Sequence, residues 1–122
     1  MMKYVLSDLT GRSEDKTFVL VSSDLCHCLL SSADEGSIAV SKMQDGTIGI
    51  LKTTNLMRIA LKVGQGKVTK MAVESVKDGI KMNIAVKGII AEWKMPEAIN
   101  IKYDLIEGGE KAETCWIRIQ GA

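Results

Sequence analysis

The chain has 122 residues, a length that suits one domain spanning 1–122, and its 46% hydrophobic content excludes disorder by composition. Sixteen Lys and Arg against fifteen Asp and Glu leave a net charge of +1, which excludes a global field drawing in nucleic acid or anionic lipid. No signal-peptide core, no apolar run near the roughly 20 residues of a membrane helix and an odd count of three cysteines point to a cytoplasmic protein without a membrane partner.

Residues 3–9 and 17–22 read as two strands joined by the polar loop 11–16. In the second, Phe18 and Leu20 share one face while Val19 and Val21 share the other, as expected of a central strand or one covered by a helix. Segment 24–33, DLCHCLLSSA, is read as a short helix: Ser23 or Asp24 can cap it, and Leu25, Cys28 and Leu29 share a face. A strand is its alternative.

A hairpin over 37–53 then turns at Asp45-Gly46, where Gly supplies the positive φ of a tight turn. Segment 54–63 fits two templates. Leu56, Ile59, Ala60 and Val63 have helical spacing, whereas Met57, Ile59, Leu61 and Val63 alternate as in a strand. The capping residues Thr54 and Asn55 tip the expectation toward a helix packed on the sheet.

The second hairpin, 67–87, turns at Asp78-Gly79. Ile80, Met82, Ile84 and Val86 fall on one face, and Lys81, Asn83 and Lys87 on the other. Ala39-Val40 and Asp45-Gly46 recur 33 residues later as Ala72-Val73 and Asp78-Gly79, which convergence on Asx-Gly turns accounts for without a duplication. Gly88 marks a bulge or bend before the extended run 89–93, and Pro96 separates that run from the last hairpin, 99–106 with 114–120 around Gly108-Gly109. In its final strand Cys115, Ile117 and Ile119 face inward, and Trp116, Arg118 and Gln120 outward. The fold class expected is mainly β to α+β: an antiparallel, hairpin-rich sheet curled into a barrel or sandwich, with one or two short helices.

Signals for chemistry are sparse. Cys26-His27-Cys28 is the one suggestive cluster, but neighbouring side chains diverge in helix and strand alike, and the spacing matches no paired C-x-x-C site. No metal and no other cofactor is therefore expected. His27 is the only histidine and cannot serve an adjacent cysteine as base; the carboxylates form no diagnostic pair, and Gly64-Gln65-Gly66-Lys67 lacks Walker spacing. The chain is expected not to be an enzyme.

What remains is a surface. The expected function is a non-enzymatic interaction or assembly module, a homo-oligomer associating through a sheet face or edge, with Trp116, Arg118 and Trp93 as interface residues. The alternative is a nucleic-acid-binding sheet using Lys52, Arg58, Lys62, Lys67 and Lys70. A third class is a small-ligand pocket lined by Met43, Met57, Met71 and Met82, although Met is commonly core filler.

Overall fold

Period-two alternation turns one side of the strands toward a common interior, and the computed structural model, which describes residues 3–8 and 14–121, shows how that interior is enclosed. The strands are β1 (Lys3–Asp8), β2 (Glu14–Ser23), β3 (His27–Ser32), β4 (Gly36–Lys42), β5 (Ile48–Thr53), β6 (Met57–Val63), β7 (Val68–Ser75), β8 (Lys81–Lys94), β9 (Ala98–Glu107) and β10 (Glu110–Gly121). Each pairs antiparallel with its neighbours in sequence, and β1 lies between β2 and β10, so the meander closes into a barrel. Closure satisfies the edges an open sheet would leave bare. It also leaves β10 with a ladder on each side, so no edge of that strand is open to a partner.

Up-and-down connectivity puts the β3–β4, β5–β6, β7–β8 and β9–β10 turns at one end of the barrel. The β2–β3, β4–β5, β6–β7 and β8–β9 turns are at the other. The three Asx-Gly and Gly-Gly hairpins form as expected, with φ of 85° at Gly46, 71° at Gly79, and 62° and 83° at Gly108 and Gly109. Because β4 and β7 are three strands apart, they run in opposite directions, and the two Asp-Gly turns cap opposite ends. The same side-chain bond shapes both: Asp45 Oδ1 accepts from Thr47 N (3.0 Å), and Asp78 Oδ1 from Ile80 N (3.1 Å).

The core is the filled part of the barrel interior. Phe18, Leu30, Val63, Val86, Ile99, Ile101 and Ile119 are wholly enclosed, together with Tyr4, Ile38, Val40 and Ile48. Each fully buried side chain of this size contributes about 1.5–3 kcal/mol, so aliphatic residues supply most of the hydrophobic stabilisation in a chain with five aromatics.

Among the described residues there is no helix, which corrects two expectations. Segment 24–33 is a turn followed by β3, and 54–63 is a turn followed by β6. The capping residues do cap, but they cap turns. Asp24 Oδ1 accepts from Cys26 N (2.8 Å) and His27 N (2.9 Å), and Thr54 Oγ1 from Leu56 N (3.2 Å) and Met57 N (3.0 Å). These contacts to residues two and three ahead have the pattern of a helix N-cap; the alternating residues that follow then decide for strand. Of the two alternatives for the strand holding Phe18 and Val21, the central strand is the one found: β2 is paired with both β1 and β3. No helix covers it, so Val21 is 58% exposed where the β2–β3 register shifts between Leu20 and Ser22. The shift expected at Gly88 is present, between Gly88 and Ile90.

Candidate functional site

Pairing places Ile38, Lys52, Ile59, Val73 and Met82 in one row across β4 to β8. Ile38 is buried, and that row lies on the inner face of the barrel. Two residues further toward the β5–β6 and β7–β8 turns, Met57 and Ile80 continue the same inward alternation. Yet Met57 is 41% exposed, Met82 55% and Ile80 66%. The inner apolar surface therefore runs past the packed core and meets solvent: the barrel has a greasy mouth at this end.

Beneath the mouth lies a cavity of about 200 Å³. One wall is Ile38, Ile50, Lys52, Ile59, Leu61 and Met71 from β4 to β7; the facing wall is Tyr103 and Leu105 from β9 with Cys115, Ile117 and Ile119 from β10. Lys52 is the one charged residue among these lining groups. It is half-buried, and among the described residues it makes no ion pair or hydrogen bond. At the same end Lys16 is neutralised by Glu35 at 2.9 Å.

The sequence-predicted residues separate. Of the four methionines, Met71 lines the cavity and Met57 and Met82 stand at its mouth; Met43 belongs to the β4–β5 turn at the opposite end. Trp93 pairs with Ile99 and packs on the core, so it shares no surface with Trp116 and Arg118. Those two face outward on β10 as expected. Lys102 Nζ stands 5.3 Å from the centre of the Trp116 ring, and Arg118 Nε donates to Asn100 Oδ1 at 3.1 Å. The basic set is likewise divided. Lys52 faces the cavity, Arg58 is paired opposite Glu74, and Lys67 is tied to Asp45 at 2.9 Å near the far end, which leaves Lys62 and Lys70 on the outer face.

The cysteine–histidine cluster diverges. Cys26 is exposed in the turn, His27 Nδ1 shares a hydrogen bond with Ser41 Oγ on the outer face (3.0 Å), and Cys28 points inward and is buried. Burial pushes the Cys28 thiol above its ordinary pKa, so it stays protonated. Among the described residues no group of three His, Cys, Asp or Glu converges as a metal site would require, and no helix is long and apolar enough to cross a membrane.

Comparison with known proteins adds the fold. No family model and no curated protein sequence matches the chain. Among solved structures, the chain is similar to the ywiB protein from Bacillus subtilis, at a TM-score of 0.55 and 12% identity. The similarity covers 99% of this chain and 89% of that one. At that identity what is shared is the architecture.

The site residues missed by sequence reasoning are Lys52 as a cavity group and Ile59, Leu105 and Ile117 as walls. Their signal was present in the alternation. Placing 54–63 in a helix removed β6 from the sheet and hid the row that connects Lys52 to Met82.

Proposed function

We propose that this protein binds a small apolar molecule inside the barrel, admitted through the mouth formed by Met57, Ile80 and Met82. The observation that carries this reading is their inward register combined with exposure, directly above an apolar cavity. Apolar side chains left in water at the mouth forfeit burial worth about 25 cal/mol per Å², and a ligand that covers them recovers it. Cavities with apolar walls and a few polar groups are the usual setting for small ligands, and methionine adapts its shape to what enters.

The test is titration with an environment-sensitive apolar dye. Saturable one-to-one binding is expected, and Ile59→Trp, which fills the cavity from its wall, should abolish it while circular dichroism keeps the strand signature. Leu51→Lys, on the outer face, should leave it unchanged. Dye binding that survives Ile59→Trp, or is lost with Leu51→Lys, would place the dye outside the barrel and sink the reading.

A second reading is self-association through the outer face of β3 to β7. Leu29, Ala39, Leu51, Ala60 and Ala72 are paired in one outward row across these five strands, with Leu51 46% exposed among small neighbours. Small side chains let two sheets approach closely, and a two-fold axis would bring the same patch of a second copy onto it. Leu51→Lys should then convert a dimer to monomer in sizing with light scattering; a wild-type monomer at all concentrations excludes it. Elsewhere the outer face carries Lys87, Lys102, Asp104 and Arg118, unlike the apolar band of a barrel standing in lipid.

A further inference from the structure

We infer that the ligand is an amphiphile with an anionic head, and that Lys52 is the residue that holds the head. This rests on the interior-binding reading and names its ligand class. A lysine set among Ile38, Ile50, Ile59 and Leu61 loses part of its hydration, and no carboxylate of the described chain compensates it. Nearby charges are already engaged or turned away: Glu35 pairs with Lys16, and Glu74 lies opposite Arg58 on the outer face. A bound anion would supply the missing partner.

Depth in the barrel sets the orientation. Lys52 shares its row with Ile59 and Met82, one step inside the rim, while Ile50 pairs with Leu61 one row deeper. An anionic head at Lys52 thus stays near the water of the mouth. The apolar part descends between Leu61 and Met71 on one wall and Ile117 and Ile119 on the other. Size limits that part: an apolar cavity of about 150 Å³ accepts benzene, so about 200 Å³ accommodates one ring or a short chain. The head is an oxygen anion such as a carboxylate, which accepts the hydrogen bonds that the three N–H donors of the ammonium offer.

The experiment is calorimetric titration of the full chain with two matched pairs, octanoate against octanol and benzoate against benzyl alcohol. In at least one pair the acid should bind wild type about tenfold tighter than the alcohol. Lys52→Met should remove that preference and leave alcohol binding in place, while Lys52→Arg should retain most of it. Equal binding of acid and alcohol to wild type, or a preference that survives Lys52→Met, overturns the anionic-head assignment while the interior site stands. No saturable binding of any of the four compounds overturns both readings.

Discussion

The backbone N–H of Val76 donates to the carbonyl of Leu56 at 3.0 Å, joining the β7–β8 turn to the β5–β6 turn. The two loops thereby form one fixed rim on the mouth side of the barrel. Their side chains remain in water: Leu56 is 71% exposed, Val76 49% and neighbouring Ile80 66%. A backbone-held rim with unsupported apolar side chains separates stability from binding. The double variant Leu56→Gln, Ile80→Lys should keep its urea midpoint, with a stability change within about 0.5 kcal/mol, because such surface changes touch no packed core. Its apolar dye affinity should fall several-fold. A large loss of stability would show that the rim is packed rather than exposed.

The turn before β6 depends on one hydroxyl. Thr54 Oγ1 accepts from both Leu56 N and Met57 N, and the same turn is closed by Thr54 N donating to Met57 O at 2.9 Å. Thr54→Val keeps the shape and removes the acceptor, so about 1 kcal/mol of stability should be lost, whereas Thr54→Ser should retain nearly all of it. Equal unfolding midpoints for the valine and serine variants would remove the capping role.

These turns also explain what was legible. The hairpins at Gly46, Gly79 and Gly108-Gly109, the bulge at Gly88 and the outward Trp116 follow from residue type and period two alone. The strands β3 and β6 did not, because an Asp or Thr that satisfies the next N–H groups looks the same before a turn as before a helix. Periodicity over ten residues matched both templates; only the ladders of β2, β4, β5 and β7 decide between them. The cavity was still less legible. It depends on which alternating residues face one another across the barrel, and Lys52 and Ile117 are 65 positions apart in the chain.

Gly88 is required for a different reason from the turn glycines. Gly66 N donates to Gly88 O (3.0 Å), and Gly88 N to Lys67 O (2.9 Å), which draws the β6–β7 loop onto β8. A Cβ on Gly88 would lie 2.0 Å from the Gly64 carbonyl oxygen, a backbone atom that cannot turn aside. Gly79 has positive φ but open space around it. Gly88→Ala should therefore cost about 2 kcal/mol or more, and Gly79→Ala closer to 1 kcal/mol, measured by denaturant unfolding. The reverse order would mean that the loop does not pack on β8.

Acid should loosen both ends of the barrel, at the two Asp-Gly turns. Asp45 accepts from Thr47 N and pairs with Lys67, and these bonds hold its carboxyl well below the usual carboxylate range; the bond from Ile80 N lowers Asp78 in the same direction. A carboxyl whose folded pKa is depressed stabilises the fold above its unfolded value of about 3.9. That contribution is lost as pH falls from there toward the folded value. Asp45→Asn should lower the melting temperature near neutrality, where the charge it removes is stabilising, though only modestly because the site is exposed. It should also flatten the decline below about pH 4, so that variant and wild type converge in acid. An acid limb identical to that of wild type would contradict the assignment.

Trp116 offers a last test, because its face and its nitrogen give opposing expectations. The ring faces outward beneath Lys102, a contact worth about 0.5–1 kcal/mol at a surface. Its Nε1 is buried and, among the described residues, has no acceptor, which is a cost comparable to the contact. If the indole only covers β9 and β10, Trp116→Phe discards the unpartnered N–H, keeps a ring under the ammonium and should be neutral or slightly stabilising. Trp116→Ala loses the covered area and should lower stability without altering the sizing profile. If the indole instead anchors a second copy, both variants should shift an oligomer toward monomer, with alanine the stronger, because truncating a central aromatic anchor can cost about 2 kcal/mol or more of binding. Unfolding and sizing measured on the same two variants distinguish the cases. A stable Trp116→Phe monomer beside a wild-type dimer would move the self-association surface from β3–β7 to β10.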